Sequence, residues 1–271
     1  MINELPTPVC PLSTPFSSNQ IKKKTTTQYN LKTTSLPNTI GLIPDGNIRH
    51  LTGQRGGSLP SQTSPPQNPY SLGSSTMSKI ITYLSSLRSA NGDRVENIVI
   101  YALSHDNYIK RPSSTTKSVL FEVSKRCLEI SSTHPTTSIK FIGDLTPLLS
   151  LPCASRSHPT LKTFDSLINY LNTTSPANPT QTLYILLNYS GKKSLNNYYL
   201  TSNNPLISSV LPLSISLIIR SGGECRLSDF CPLESRYAEI MAVNEMWPDV
   251  GEKVVGECIE EWGRRRKRRG G

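Results

Sequence analysis

Two arginines stand on either side of a glycine pair in the stretch "IIRSGGECRLSDF", residues 218–230. Arg220 ends an apolar run, the glycines follow, and Arg226 comes two residues before Ser228. A guanidinium forks onto phosphate oxygens, and backbone N–H groups that no side chain covers can approach a phosphate closely. The stretch therefore predicts a binding site for a phosphate or a diphosphate.

A second polar group follows another apolar run, in "IPDGNIRH", residues 43–50. Asp45 and Arg49 are four residues apart, with Gly46 and Asn47 between them. A carboxylate can hold Mg²⁺ and an arginine can contact phosphate oxygens, so these residues suit a metal-bound diphosphate. Asp-Gly-Asn is also common turn chemistry, and a plain turn is the alternative.

A third group lies in "YALSHDNYIKRP", residues 101–112, where Asp106, Asn107 and Arg111 follow an apolar run. A polar loop in which Pro112 begins a helix would look the same without any function. The functional interpretation depends on whether this loop meets the other two groups in the fold.

The elements that must position these groups are short, continuous apolar runs, as expected for strands covered on both faces. They are "TIGLI" (39–43), "NIVIYAL" (97–103), "SIKFI" (138–142), "TLYILL" (182–187) and "SISLII" (214–219). Apolar residues at helical spacing lie at 77–87, 119–130 and 254–262. This alternation predicts an α/β fold with a mainly parallel sheet, in which ligands bind at the carboxyl ends of the strands. The polar groups follow those ends.

The net charge of +10 is concentrated at the two ends of the chain. Residues 1–37 carry four lysines and one glutamate, and "RRRKRR" at 264–269 carries six cations, so the body between them is nearly neutral. A neutral body does not suit a nucleic-acid-binding surface, and no nucleic-acid partner is expected. No apolar run reaches the roughly 18 residues that span a bilayer, and no secretory signal begins the chain. Six cysteines without metal spacing are typical of free intracellular thiols.

Seven stretches occur in this order: "IPDGNIRH", "YALSHDNYIKRP", "IKFIGDL", "LNYSGKKSL", "IIRSGGECRLSDF", "YAEI" and "WPDV". Together they resemble the motifs of the cis-prenyltransferases, the undecaprenyl and dehydrodolichyl diphosphate synthase family. The resemblance covers residues 40–271. It implies one α/β domain at 38–271, with a mainly parallel six-stranded sheet flanked by helices, a loop insertion at 53–69 and a hydrophobic tunnel. Residues 1–37, which show no periodicity, are expected to be a disordered tail.

The resemblance also implies a Mg²⁺-dependent enzyme that condenses isopentenyl diphosphate with an allylic prenyl diphosphate. The product would be a cis-polyprenyl or short Z-prenyl diphosphate. The match makes Asp45, Asn107 and Arg226 catalytic residues and makes Asp45 and Glu239 metal ligands. The residues matched to allylic substrate binding are Gly46, Asn47, Arg49 and Arg111. Those matched to isopentenyl diphosphate binding are Arg220, Arg226, Ser228, Arg268 and Gly270.

Arg268 and Gly270 belong to a C-terminal "RRG". This tripeptide resembles the family's R-x-G, which reaches into a partner subunit. A solvated basic tail is the alternative. A homodimer is expected, and a heterodimer is left open. The expected location is the cytoplasm, with peripheral contact to the endoplasmic reticulum membrane and organelle targeting both left open.

Several family positions are altered. Pro44 stands where Met is usual, His50 where an aromatic residue is expected, and Tyr70 replaces the His of the Gly-His-x-x-Gly motif, of which Gly73 survives. Pro44 and Tyr70 resemble the cyclolavandulyl diphosphate synthase branch, which performs irregular or cyclising condensations. Two alternatives therefore accompany the main hypothesis: an irregular prenyl diphosphate synthase, and a non-catalytic subunit of a heteromeric enzyme.

Overall fold

The computed structural model describes residues 31, 33, 35–52, 68–153, 160–200 and 211–268. The predicted insertion at 53–69 lies almost wholly outside these residues, and so does most of the predicted N-terminal tail. Leu36 is buried and Leu31 packs against the core, so core packing begins inside the segment assigned to that tail.

Six strands form one sheet, and all five neighbouring pairs are parallel. They are β1 (Thr39–Ile43), β2 (Asn97–Ser104), β3 (Thr137–Ile142), β4 (Gln181–Tyr189), β5 (Leu217–Arg220) and β6 (Glu239–Ala242). The order across the sheet is β3-β4-β2-β1-β5-β6. The prediction of a mainly parallel sheet is confirmed, because all the described strand pairs are parallel.

Seven α-helices are described: α1 (Asn47–Thr52), α2 (Pro69–Ser86), α3 (His105–Lys110), α4 (Ser113–Thr133), α5 (Phe164–Thr173), α6 (Gly191–Leu200) and α7 (Glu252–Arg268). Local sequence explains several of their starts. Asn68 caps α2 by accepting from the N–H of Tyr70 at 3.0 Å, and Ser104 caps α3 by accepting from the N–H of Asn107 at 3.1 Å. Pro112 directly precedes α4.

The sheet is buried on both faces, as its continuous apolar strands predict. All five residues of β1 are buried. One core cluster contains Ile40 and Leu42 of β1 with residues of α2, α4 and α7, and the other contains Val99, Ile218 and Phe230. Helices therefore cover one face of the central strands, and loop residues such as Leu211, Ile215 and Phe230 cover the other.

The order of strands places the site. β1 has β2 on one side and β5 on the other, although β5 follows β2 by more than a hundred residues. The carboxyl ends of these three strands consequently meet, and ligand sites in such sheets form at this reversal of strand order. Among the described residues, no helix is both long enough and apolar enough to cross a membrane.

Candidate active site

Asp45 lies two residues beyond β1 and meets Arg220, the last residue of β5. The parallel register pairs Ile43 with Arg220, which brings the two ends together although Asp45 and Arg220 are 175 residues apart in sequence. Nη2 of Arg220 donates to Oδ2 of Asp45 at 2.9 Å. The Arg220 side chain is 4% exposed and that of Asp45 is 34% exposed. The pair thus joins a buried cation to a carboxylate that solvent or a ligand can reach.

Ser221 and Gly46 hold the backbone around this carboxylate. Oγ of Ser221 accepts from the N–H of Asp45 at 2.8 Å and lies 2.9 Å from the Asp45 carbonyl oxygen. The N–H of Gly46 donates to Oδ1 of Asp45 at 2.7 Å. Gly46 has φ +93°, and a Cβ there would overlap the sulfur of Met246. The Asp-Gly-Asn turn exists, and it leads directly into α1.

The Asp45 carboxylate is kept ionised. Burial disfavours its charge, but the hydrogen bonds from Arg220 and Gly46 and the charges of Arg220 and Arg49 outweigh burial, so the pKa of Asp45 lies below its ordinary value. Nη2 of Arg49 is 3.2 Å from Oδ1 of Asp45. An ionised carboxylate is the form that binds a cation.

Gly222 provides the space that Arg49 occupies. Its φ is +86°, and a Cβ at this position would lie 2.7 Å from Nη2 of Arg49 and 3.3 Å from the Cβ of Asp45. The sequence predicted that the glycine pair would let backbone approach a diphosphate. In the structure, a Cβ at Gly222 would lie nearest to the guanidinium of Arg49. The missing side chain therefore allows Arg49 to approach the Asp45 carboxylate.

The two arginines of the 218–230 stretch point in different directions. Arg220 is directed inward, where Nη1 donates to Oγ of Ser228 at 2.7 Å and to the carbonyl oxygen of Arg226 at 2.6 Å. The Arg226 side chain is 62% exposed and pairs with Glu224 at 2.8 Å. The predicted isopentenyl diphosphate contacts are therefore divided: Arg220 and Ser228 meet beside Asp45, whereas the Arg226 guanidinium lies at the surface.

Asn107 and Arg111 lie along the same cleft as Asp45. Asn107 is on α3, and Arg111 follows the last residue of that helix. Nη1 of Arg111 donates to the hydroxyl oxygen of Tyr70 on α2 at 3.2 Å. The predicted loop thus meets the other two polar groups, and Tyr70, which replaces the family's His, contacts one of the predicted substrate-binding arginines.

Gly73 lets α2 approach α1 closely. A Cβ on Gly73 would overlap the side-chain oxygen of Asn47 and would touch the ring of Trp247. The indole Nε1 of Trp247 donates to the Gly73 carbonyl oxygen at 2.8 Å, and its backbone N–H donates to the Asp45 carbonyl oxygen at 2.9 Å. Trp247, which the sequence analysis saw only as part of a family motif, therefore connects α2 to the turn that carries Asp45.

These residues surround a cleft of about 700 Å³. Its polar lining includes Asp45, Asn47, Arg49, Asn107, Arg111, Arg220 and Ser228. Its apolar lining includes Ile43, Met77, Ile100, Leu103, Val119 and Val123. A cleft with a cationic end and an apolar wall suits a ligand with an anionic head and a hydrocarbon tail. The closed tunnel that the resemblance implies stays a prediction.

Two buried polar atoms at this cleft have no hydrogen-bond partner among the described residues. They are Oδ1 of Asn47 and Nε of Arg220. Buried polar atoms are rarely left unsatisfied, and a bound ligand or water is one way to satisfy them. Both atoms belong to residues that the sequence assigned to substrate binding.

Glu239 lies at the amino ends of the strands, whereas Asp45 lies at their carboxyl ends. It is the first residue of β6 and pairs in register with Leu217, the first residue of β5, whereas Asp45 follows the carboxyl end of β1. Its Oε2 is 3.2 Å from Nη1 of Arg265 on α7. A single chain therefore does not bring Glu239 and Asp45 together as ligands of one metal ion. The motif match that paired them carried no information about which end of the strand Glu239 occupies.

The remaining predicted residues are at the C-terminus. Helix α7 ends at Arg268, and Gly270 lies outside the described residues, so the role of this tail stays a prediction. Among the residues that the structure describes, no group of three or more His, Cys, Asp or Glu residues forms a metal cluster.

One buried, charged residue of the cleft lining escaped the sequence analysis. Glu122 on α4 is 5% exposed and accepts from Oγ of Ser74 on α2 at 2.8 Å. The signal was available, because Glu122 is three residues beyond Val119 and therefore on the apolar face of the helix that the spacing identified. His50, one of the altered family positions, lies with Nδ1 2.9 Å from Oδ2 of Asp249.

The fold and the site together define a class of protein: a parallel α/β enzyme whose carboxylate–arginine centre stands at the strand ends. A comparison with family models matches residues 43–270 to the family described as "Putative undecaprenyl diphosphate synthase". A curated relative from Aeropyrum pernix, a tritrans,polycis-undecaprenyl-diphosphate synthase (geranylgeranyl-diphosphate specific), is 30% identical over 234 residues, covering 85% of this chain and 97% of the relative. A ditrans,polycis-undecaprenyl-diphosphate synthase ((2E,6E)-farnesyl-diphosphate specific) from Micrococcus luteus is 26% identical over 271 residues, covering 92% and 98%.

Two solved structures share the fold. The lavandulyl diphosphate synthase from Lavandula x intermedia, in complex with dimethylallyl diphosphate, superposes with a TM-score of 0.61 at 19% identity, covering 84% of this chain and 95% of that chain. A probable undecaprenyl diphosphate synthase from Campylobacter jejuni gives a TM-score of 0.57 at 19% identity, covering 83% and 94%. The chain belongs to the undecaprenyl diphosphate synthase family, and it is a prenyl transferase of the cis-prenyltransferase type.

Proposed function

We propose that this chain condenses isopentenyl diphosphate with an allylic prenyl diphosphate to form a Z-prenyl diphosphate. The observation that carries the proposal is the ionised Asp45, held by Arg220 and Arg49 at the cationic end of a cleft with an apolar wall. Diphosphates need cations and hydrogen-bond donors, and prenyl tails need apolar surface. The cleft offers both in one space.

The positions of the arginines support a division of labour between two diphosphates. Arg49 and Arg111 line the cleft near α1 and α3 and would bind the allylic diphosphate together with the backbone of Gly46. Ser228 and Arg220 lie on the β5 side and would bind isopentenyl diphosphate. Fixed cations aimed at a departing anion lower the barrier without reorganising during the reaction.

The proposed reaction breaks one bond and forms one carbon–carbon bond. The C1–O bond of the allylic substrate breaks, and its electron pair leaves with the diphosphate. The double-bond electrons of isopentenyl diphosphate form the new bond to C1, and a proton from its C2 passes to the released diphosphate, leaving the new double bond. Arg49 and Arg111 stabilise the leaving group, and the cleft excludes water from the developing cation.

The residues present fit Mg²⁺. Asp45 is ionised, half-buried and lines the cleft, and Mg²⁺ is commonly held by one or two carboxylates together with substrate phosphates. Bound there, Mg²⁺ would neutralise charge on the leaving diphosphate. Glu239 could join Asp45 only from a second chain, because within one chain it pairs with Arg265 at the amino ends of the strands.

We further propose that a dimer completes the site, with Arg268 and Gly270 of one chain reaching the isopentenyl diphosphate site of the other. A homodimer is the simpler assembly, since Asp45, Arg49 and Arg220 already form a connected centre in this chain. This intact centre also opposes the alternative of a non-catalytic subunit.

The test is mass spectrometry of products from the purified chain alone. The chain is incubated with Mg²⁺, isopentenyl diphosphate and dimethylallyl, geranyl or farnesyl diphosphate, and Asp45→Ala serves as the inactive control. We expect prenyl diphosphates longer than the primer from the parent and none from the folded variant. Absence of product with every primer would refute the proposal, and activity that appears only when a second protein is added would identify a partner subunit.

A second candidate is the irregular condensation of two allylic units, as in the lavandulyl branch. Tyr70 favours it, because this altered residue lies on the cleft and contacts Arg111 at 3.2 Å. Dimethylallyl diphosphate supplied as the sole substrate separates the two candidates. A branched or cyclic ten-carbon product would support the irregular reaction, and regular condensation requires added isopentenyl diphosphate.

A further inference from the structure

A polar bridge crosses the apolar part of the cleft wall. Oγ of Ser74 on α2 lies 2.8 Å from Oε2 of Glu122 on α4, and both residues line the cleft. Both are almost fully buried, with 8% of Ser74 and 5% of Glu122 exposed. The bond therefore joins the two helices that form this wall, and the proposed reaction does not use it.

Arg126 supports the bridge from behind. Its Nε donates to Oγ of Ser74 at 3.2 Å, and its Nη1 pairs with Glu129 at 2.7 Å. The serine hydroxyl thus accepts from Arg126, and its one proton lies between two acceptors, Oε2 of Glu122 at 2.8 Å and the Ser71 carbonyl oxygen at 3.0 Å. A buried polar group with partners on both sides is held in one geometry.

The bridge lies deep in the cleft. Helix α4 runs from the carboxyl edge of the sheet towards the amino edge, since it follows β2 and precedes β3. Glu122 is seven residues beyond Thr115, which also lines the cleft, and this spacing corresponds to about 10 Å along a helix. Ser74 is likewise one helical turn beyond Tyr70. A hydrocarbon tail that starts at the diphosphate centre would therefore meet the bridge after a few isoprene units.

An apolar tail cannot replace the bridge's hydrogen bonds. To pass, the tail would have to cover a carboxylate without hydrating it or to separate Ser74 from Glu122, and burying an unsatisfied polar group is costly. The neighbouring Val119, Val123 and Met77 present no such barrier. The cost arises only where the tail reaches Glu122.

We propose that the Ser74–Glu122 bridge limits the cleft to short prenyl chains and so determines substrate and product length. This inference rests on the proposed function, because it concerns the tail of the prenyl diphosphate bound there. The structure assigns Glu122 as the residue that determines specificity and Arg126 as a residue that positions the bridge.

Binding of unreactive analogues tests the inference without turnover. Thiolodiphosphate analogues of geranyl and geranylgeranyl diphosphate are titrated into the full chain by calorimetry with Mg²⁺ present. We expect the parent to bind the geranyl analogue about tenfold more tightly than the geranylgeranyl analogue, because only the longer tail reaches the carboxylate. In Glu122→Leu the preference should disappear or reverse.

Two matched variants control for general damage. Glu122→Gln keeps the size and a carbonyl oxygen that can accept from Ser74, so it should keep the parent's preference. Lys125→Leu also replaces a charged residue of the same helix by Leu, at an exposed position outside the described lining of the cleft, and it should keep the preference. If Glu122→Leu does not fold, Glu122→Met gives the same comparison with a more adaptable side chain.

Product analysis gives the second measurement. With farnesyl diphosphate as primer, Glu122→Leu should form products at least one isoprene unit longer than those of the parent. Equal binding of both analogues by the parent, or an unchanged preference in folded Glu122→Leu and Glu122→Met, would overturn the inference. Failure of condensation would overturn the proposed function alone, because the binding comparison does not depend on turnover.

Discussion

Replacing Arg220 by Lys should destabilise the protein far more than the same replacement at Arg226. Arg220 ends β5, Arg226 lies in the loop that follows, and the two side chains differ in their surroundings. Arg220 is buried and joins Asp45 to Ser228 and to the Arg226 carbonyl oxygen, whereas Arg226 is exposed and pairs with Glu224. A lysine ammonium is a single point and cannot bridge groups on both sides of a planar guanidinium.

The expected magnitude follows from the number of lost contacts. In Arg220→Lys, the shorter ammonium would keep either the Asp45 contact or those to Ser228 and the Arg226 carbonyl. At least one hydrogen bond from a charged donor is lost and a buried ammonium is left with fewer partners, which together cost about 3 kcal/mol. The exposed ion pair of Arg226 contributes about 0.5 kcal/mol, and Lys can retain much of it. Urea unfolding with a slope of about 2 kcal/mol/M should therefore show a midpoint lower by about 1.5 M for Arg220→Lys.

Product formation gives a second, independent measurement for the same pair of variants. Because Arg220 also fixes the position of Asp45, kcat/KM should fall by about 100-fold or more in Arg220→Lys even under conditions where it is fully folded. Urea midpoints that agree within error for the two variants would refute the argument that Arg220 holds the site together.

Four further predictions test other parts of the site. Asp45→Asn should lower the free energy of unfolding at neutral pH, and its difference from the parent should shrink as the pH falls below about 4. The reason is that a lowered pKa of Asp45 stabilises the folded parent fully above the pKa of the unfolded chain, and this stabilisation disappears as acid protonates Asp45 in the folded state. Unfolding midpoints of both proteins at several pH values measure the difference. Gly73→Ala should lower the free energy of unfolding by about 1–3 kcal/mol, because its Cβ has no room, whereas Gly251→Ala, which meets no atom within 4 Å, should not; equal effects would contradict this. If Arg226 binds isopentenyl diphosphate as the family resemblance implies, Arg226→Ala should raise KM for that substrate more than KM for the allylic primer, and equal increases would show that the division of the two sites is wrong. Deletion of residues 268–271 should weaken isopentenyl diphosphate use while leaving the dimer assembled, and mixing with Asp45→Ala chains should restore activity if the tail acts between subunits.

The strands could be predicted because apolar runs carry their own signal. "TIGLI" predicted the bounds of β1, and the other long runs agree within a few residues. β5 begins later than its run, at Leu217, because the N–H of Ile215 bonds to the Glu234 carbonyl oxygen and not along a strand. β6 is the short segment "EIMA", which has no β-branched run, so only the family resemblance supplied the sixth strand.

The candidate site was predictable where it depends on topology and unpredictable where it depends on loop direction. Parallel strands bring Asp45 and Arg220 together, and both follow apolar runs that the sequence shows. The direction of Arg226 depends on a loop in which Ser228 has φ +49° and Asp229 has φ +67°, values that non-glycine residues rarely adopt and that sequence does not signal. The position of Glu239 was unpredictable for a related reason, because a motif identifies a residue but not the end of the strand that it occupies.

The 175-residue separation of Asp45 from Arg220 also has a consequence in time. At roughly 5–20 residues per second, a ribosome delivers Arg220 about 10–35 s after Asp45. Throughout that interval β1, which becomes a central strand, has no partner along the edge that β5 later covers, and unpaired strand edges invite aggregation. Any chain interrupted during this period would carry the Asp45 carboxylate without the arginine that holds it, so the nascent protein needs protection for most of its synthesis.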